Sequence, residues 1–295
     1  MKILLFGANG QVGWELQRSL SPLGELVALD RRSPDLCGDL TDLNGIKDTV
    51  QRIAPDVIVN AAAYTAVDKA ESDPAAAHLV NAAAPGALAQ AANAVGALLV
   101  HYSTDYVFDG SGSTPWVETD PTGPLNVYGT TKLAGEKLIA GHCSNHLIFR
   151  TSWVYAARGG NFAKTMLRLA EERESLSVIN DQFGAPTGAD MLADATAHAI
   201  RQVLSRPQDA GIYHLAAAGK TTWFEYAKYA IDQQIHAQVA TKIIVKEIRP
   251  VATSAFPTAA QRPHNSRLNT AKFQHTFGLQ LAPWQQGVKR MLAEV

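Results

Sequence analysis

The sequence predicts an α/β fold, a doubly wound parallel sheet followed by a smaller α/β part. Three observations carry this. Short, continuous apolar runs of strand length alternate with segments at helical spacing, the pattern of strands buried on both faces of a parallel sheet. A glycine-rich turn, Gly7-Ala8-Asn9-Gly10-Gln11-Val12-Gly13, lies between the first such run and the first helix. Hydroxyl and acidic residues follow the ends of several runs, where open α/β sheets bind ligands.

The first strand is Lys2–Phe6 and the first helix Trp14–Leu20. Of the three glycines, one makes the tight turn, one lets the backbone approach a pyrophosphate, and one lets helix and strand pack closely. The helix N-terminus then offers free amides to the anion. Gly7, Gly10 and Gly13 therefore mark a Rossmann-type dinucleotide site. The second strand, Leu26–Leu29, ends at Asp30, about twenty residues past the glycines, placed to hold the adenosine ribose hydroxyls of NAD. Arg31 and Arg32 follow, and could neutralise the 2′-phosphate of NADP or form a solvated turn. Together these residues predict NADPH as cofactor, with NADH also possible. Asp39-Leu40, after a short third strand, fits the adenine end of the site.

The next strand, Asp56–Asn60, runs into Ala61-Ala62-Ala63-Tyr64, whose small side chains leave room for a flat cofactor. A charged helix start (Asp68, Lys69, Glu71, Asp73) and an alanine-rich packing helix (Asn81–Ala94) come next. Strand Ala97–Tyr102 ends at Ser103-Thr104-Asp105. Thr104 stands where it can hydrogen-bond a substrate carbonyl, or simply cap the turn. A loop bearing Pro121 and Pro124 leads to Tyr128-Gly129-Thr130-Thr131-Lys132, which opens a helix running to about Ile139. Tyr128 and Lys132 are four residues apart and share one helix face. A phenol titrates near ~10, and an ammonium beside it lowers that value. The pair suits proton donation to a carbonyl becoming an alcohol. The spacing alone is common; it gains weight from the glycine turn and Thr104 in the same sheet.

Leu147–Phe149 is the last strand of the first half, and Trp153 just past it reads from the residues alone as a core side chain. Asn161–Leu169 has helical spacing, Asn180–Thr187 is a loop returning toward the cleft, Gly211–Leu215 a strand and Trp223–Ile231 a helix. Arg262 matches phosphate oxygens in two-point geometry, or is a salt-bridged loop residue. Residues 1–150 thus read as the dinucleotide-binding domain, with returning segments around 177–215, and residues 151–295 as mainly substrate-binding, the two sharing one cleft.

A formal net charge of −1 gives no basic field for nucleic acid and no polybasic stretch for a membrane surface. No apolar run approaches the ~20 residues of a bilayer crossing. The first core strand begins right after Met1, leaving no room for a signal peptide. Two cysteines, Cys37 and Cys143, are too few for a disulfide framework or a structural zinc site, and fit a reducing cytoplasm.

Gly7/Gly10/Gly13, Asn60-Ala61-Ala62-Ala63, Ser103-Thr104-Asp105-Tyr106-Val107-Phe108 and Tyr128-Gly129-x-x-Lys132 occur in the order and spacing of the extended short-chain dehydrogenase/reductases. With Phe149–Tyr155, Asn180–Thr187 and Arg262–Leu268, the whole chain resembles the sugar-nucleotide reductases of that family. The resemblance implies hydride transfer from NADPH or NADH to the C4 keto group of dTDP-4-dehydro-L-rhamnose, giving dTDP-L-rhamnose for polysaccharide biosynthesis. It implies Tyr128 as proton donor, Lys132 as its pKa-lowering partner and ribose ligand, and Thr104 as the group orienting the carbonyl. Gly10, Gln11 and Val12 would contact the cofactor phosphates. Asp30, Arg31, Asp39, Leu40, Ala62, Ala63, Tyr64 and Tyr102 would line the rest of its site. Thr104, Asp105, Trp153, Asn161 and Arg262 would hold the sugar nucleotide. Some members are homodimers bridged by magnesium, for which Glu15, Asp190 and Glu294 are the acidic candidates in this chain. Two other readings stay open, an NAD-dependent sugar-nucleotide 4-epimerase and a non-catalytic NADP-binding regulatory subunit. Related dehydratases follow the threonine with Asp-Glu; in this chain Tyr106 replaces that base.

Overall fold

The computed structural model describes residues 1–237 and 243–295. In chain order the first half comprises β1 (Lys2–Phe6), α1 (Gln11–Leu20), β2 (Glu25–Leu29), α2 (Leu43–Ile53), β3 (Val57–Asn60), α3 (Val67–Ser72), α4 (Pro74–His78), α5 (Ala84–Val95), β4 (Leu98–Thr104), α6 (Val127–His142) and β5 (His146–Thr151). The second half comprises β6 (Val154–Tyr155), α7 (Phe162–Glu172), β7 (Ser175–Ile179), β8 (Phe183–Gly184), β9 (Thr187–Gly188), α8 (Ala189–Ser205), β10 (Gly211–His214), β11 (Thr221–Thr222), α9 (Trp223–His236), β12 (Glu247–Val251), α10 (Ala271–Phe277) and α11 (Trp284–Leu292).

Six strands form one sheet in the order β10-β5-β4-β3-β1-β2, every pair parallel. The apolar runs are continuous because both faces are covered. Ile3, Leu5, Val57, Val59, Val100 and Phe149 point to one side, against Leu16 and Leu20 of α1 and Leu192, Ile200 and Val203 of α8. Their neighbours Leu4, Phe6, Ile58, Leu99 and Ile148 point to the other, against Ile46, Val50, Leu88 and Ile139. Alternate residues of one strand thus feed two cores, which is the double winding read from the sequence.

Two departures from the sequence reading matter for the site. No strand lies between Asp30 and Asp39; the chain from Asp30 to Thr41 is an irregular excursion, and the third strand of the chain is Val57–Asn60. A six-residue approach rich in Ser, Pro, Asp and Gly lacks the β-branched run a strand needs. Second, the later residues return to the sheet in three places. α8 and β10 fall within the expected window, and α10 adds Phe273 and Phe277 to the first core. The other late elements build a small aromatic body in which Tyr226, Trp284 and Trp223 gather.

Helix α6 is bound to the sheet by buried charge. Arg150 of β5 forms a two-pronged ion pair with Glu136, with Nη2 2.7 Å and Nε 3.0 Å from the carboxylate oxygens. Both side chains are under 5% exposed, and Ser103 Oγ of β4 donates to the same carboxylate at 2.5 Å. Removing one partner leaves an uncompensated charge in the interior, a loss of about 3–5 kcal/mol. Glu136→Ala should lose that much unfolding free energy in urea titration; a loss below ~1 kcal/mol would show that the pair does not anchor the helix.

Candidate active site

The glycine turn has the geometry its spacing requires. Gly7 has φ +85° and its N–H donates to the Leu29 carbonyl at 2.9 Å. A Cβ on Gly13 would lie 2.0 Å from the Gly7 carbonyl oxygen, so only glycine lets α1 start so close to the turn. Gly10 is the N-cap of α1 and supplies no side-chain cap, leaving the first helix amides free for an anion.

Two cavities meet at this turn. One, of about 590 Å³, is lined by Gly7, Gly10, Asp30, Arg31, Asp39, Leu40, Ala62, Ala63 and Tyr64. The other, of about 530 Å³, is lined by Gly7, Gly10, Gln11, Val12, Ala62, Ala63, Tyr102, Tyr128 and Lys132, with Ser103, Thr151 and Val154. The residues expected around a dinucleotide are therefore brought together along one continuous groove. The buried Gln11 Oε1 and Tyr64 hydroxyl have no hydrogen-bond partner within the protein, so polar atoms are left over for a ligand. Asp30 accepts from the Arg32 backbone N–H at 2.7 Å and from the Asn9 amide. The Arg31 guanidinium lies 3.1 Å from Asp39 with its side chain largely exposed to solvent.

At the far end of the groove stands the candidate chemistry. Thr104 ends β4; its hydroxyl donates to Asp105 Oδ1 at 3.0 Å and accepts from the Tyr106 N–H at 3.1 Å. It thus caps the turn and also contacts the Tyr128 hydroxyl. Tyr128 packs edge-on against Tyr106, ring centres 5.6 Å apart. Burial pushes its phenol up to about 12, with the Thr104 hydroxyl pulling the other way and Asp105 adding to the rise. Burial likewise raises Asp105 to about 7 and lowers Lys132 to about 8.

The lowering of Tyr128 by Lys132 expected from the helix spacing is absent. Lys132 Nζ is instead engaged by the Tyr102 carbonyl at 2.6 Å and His101 Nε2 at 3.1 Å. Helical spacing places the two residues on one face, but the deep end of that face offers the lysine a carbonyl and an imidazole first.

A third cavity, of about 380 Å³, adjoins through Tyr106 and is walled by Phe162, Trp223, Phe256 and Arg262. Arg262 is salt-bridged, paired with Asp68 at 2.6 Å, and also lines this cavity. Trp153 has φ +48°, a left-handed backbone rare for a bulky residue, and stacks on Trp223 at 3.6 Å. Strain of this kind concentrates at ligand sites. Asn161 lines none of these cavities. It caps α7, accepting from the Lys164 N–H at 3.1 Å and donating to the Ala156 carbonyl at 2.7 Å, so each end of its amide has a partner within the protein. Sequence reasoning missed Trp223, Tyr106 and Phe256. Trp223 had a visible signal, since Thr222 and Glu225 form a capping box around the helix it begins.

The magnesium candidates are paired with arginines in this chain. Glu15, Asp190 and Glu294 border a cleft of about 30 Å³, but Arg290 lies in it, 3.6 Å from Asp190 and 3.5 Å from Glu294. Glu15 pairs with Arg18 at 3.5 Å. Among the described residues no three His, Cys, Asp or Glu side chains converge as metal ligands. A guanidinium already supplies the positive charge there.

The sequence profile of the RmlD substrate binding domain matches residues 1–295. The chain belongs to that family. A dTDP-4-dehydrorhamnose reductase of Escherichia coli K12 is 62% identical over 295 residues, covering all of this chain and 98% of the relative. One of Burkholderia thailandensis is 50% identical over 98% of this chain and 97% of its own. Among solved structures, the dTDP-4-dehydrorhamnose reductase of Bacillus anthracis, a complex with NADP, is 35% identical with a TM-score of 0.87, covering all of this chain and 99% of its own. The UDP-glucose 4-epimerase of Thermus thermophilus, 19% identical at a TM-score of 0.82 over all of this chain and 98% of its own, shares the fold.

Chelation tests the arginine-filled cleft. EDTA should leave the melting temperature within about 1 °C of the untreated protein, less than a ~1 kcal/mol change would cause. A drop of several degrees, reversed by Mg²⁺, would place a structural cation there.

Proposed function

We propose that this chain reduces the C4 keto group of dTDP-4-dehydro-L-rhamnose to give dTDP-L-rhamnose, with NADPH as preferred cofactor. The observation that carries the proposal is Tyr128 and Lys132 on the wall of the same groove that begins at the glycine turn. The names of relatives 60% identical and more, and the NADP complex of the Bacillus anthracis relative, support the substrate and cofactor. When bound, the cofactor supplies a hydride to the carbonyl carbon. Tyr128 donates its phenolic proton to the carbonyl oxygen as that oxygen gains charge. A phenol held neutral by burial arrives at this step protonated, as a donor must. Thr104, against the phenol, orients the carbonyl. Charged Lys132 steadies the phenolate that remains and holds the ribose. Arg262 faces the sugar-nucleotide diphosphate, and the aromatic walls of Phe162, Trp223 and Phe256 exclude water from the substrate.

Tyr106 occupies the position after Asp105, so no carboxylate is available there to abstract a proton for dehydration. The test follows the absorbance of NADPH, and separately NADH, with substrate generated in place from dTDP-glucose by a dehydratase and an epimerase. Stoichiometric loss of reduced cofactor, faster with NADPH and dependent on both upstream enzymes, is expected. No oxidation, with NAD retained tightly by the purified protein, would favour the epimerase reading instead.

A further inference from the structure

His101 of β4 is 1% exposed and lies between Asn60 of β3 and Lys132 of α6. Its hydrogen bonds leave a single consistent arrangement of protons. The backbone N–H of Ala62 can only donate, and it donates to Asn60 Oδ1 at 3.1 Å. The other end of that amide, Nδ2, therefore faces His101 Nδ1, 3.1 Å away. An amide nitrogen also only donates, so Nδ1 is the bare ring nitrogen and the ring proton sits on Nε2. That N–H points at Lys132 Nζ across 3.1 Å.

An ammonium has three N–H groups and no lone pair. It would meet the His101 N–H donor to donor. A neutral amine accepts from His101 and donates to the Tyr102 carbonyl at 2.6 Å, and every group in the chain Ala62–Asn60–His101–Lys132–Tyr102 is then satisfied. We propose that His101 is a positioning residue that holds Lys132 as a neutral amine, so that the lysine must take a proton from water and release His101 before it can serve Tyr128. His101 itself gains and loses no proton in this step; the new N–H bond forms on the lysine lone pair as an O–H bond of the solvent donor breaks, and the buffer acid replaces that proton. The proposal rests on the reading of Tyr128 and Lys132 as the reducing pair.

The groups around this chain agree with it. Burial disfavours charge on Lys132, and Glu136 one turn along opposes that, but the Glu136 carboxylate is already committed to Arg150 and Ser103. Burial keeps His101 well below its ordinary value, so the ring stays uncharged. The Tyr102 and Tyr128 phenols are raised by burial and neutral, the Tyr102 hydroxyl being paired with Thr196 at 2.6 Å. Charging the lysine in place would require the imidazole proton to move to Nδ1 and the Asn60 amide to turn over, breaking the bond from Ala62. Leaving His101 avoids both.

Calorimetric titration with NADPH near pH 8, in two buffers of different ionisation enthalpy, counts protons taken up on binding. The wild-type protein should take up a substantial fraction of a proton. His101→Gln can turn its amide oxygen to the ammonium, and Asn60→Asp can accept the ring proton from Nδ1 and free Nε2 to accept from Lys132. Both variants should take up less than about a third as much, and the alkaline limb of their kcat profile should rise by about one pH unit or more. A purely structural role would lower kcat at every pH without moving the limb. Unchanged uptake and an unmoved limb in whichever variant folds would overturn the proposal. Uptake is read with NADPH alone, so a wild-type protein that shows the uptake pattern but no reduction would overturn the reductase reading, while His101 would still be the group that holds Lys132 neutral.

Discussion

The site depends on the docking of α6 across the carboxyl ends of β4 and β5. A helix carrying a lysine and a glutamate on its buried face cannot pack against a sheet unless both polar groups find partners there. Arg150 and Ser103 meet Glu136, and the Tyr102 carbonyl and His101 meet Lys132. These bonds fix the helix along its length and its roll about its axis. Tyr128, one turn before the lysine, is then set at the groove wall beside Thr104 with little freedom left. The apolar sheet beneath, packed on both faces, supplies a platform that does not yield.

Burial gives this site its electrostatic character. Tyr128, Lys132, Asp105 and His101 all shift toward their uncharged forms, and desolvation is the leading cause each time. Few unpaired charges sit at the reacting end of the groove before substrate enters. Charge that develops there is poorly screened, so a single ammonium brought to the phenol acts strongly. At the adenine end the opposite holds: Arg31, Asp39 and Asp30 are partly solvated and held by local pairing, Arg31 with Asp39 and Asp30 with the Arg32 amide. The two ends of one groove thus differ in their exposure to water.

Much of this was legible in the residues themselves, because the signals are local. Continuous apolar runs gave the strands, the glycine spacing gave the cofactor turn, and an interval of four gave the Tyr128–Lys132 face. What a strand touches on its neighbours is not local. His101 reads as one more residue of a buried run until the parallel register sets it opposite Asn60 and beneath α6. Asn161 has the composition of a ligand residue, but its position at a helix start consumed both ends of its amide. Asp190 and Glu294 look like cation ligands in the sequence because Arg290, distant in sequence from Asp190, lies between them only once the chain is folded. The stack of Trp153 on Trp223 joins residues seventy positions apart and has no sequence period at all.

The most direct measurement is single-turnover reduction by Tyr128→Phe beside wild type, with NADPH affinity measured on the same preparations. Loss of the phenolic proton should slow the chemical step by ~10² or more while leaving NADPH affinity within a few-fold, since the hydroxyl is needed only as charge develops on the substrate oxygen. Undiminished turnover in that variant would remove Tyr128 from the mechanism, and with it the catalytic purpose of docking α6 against the sheet.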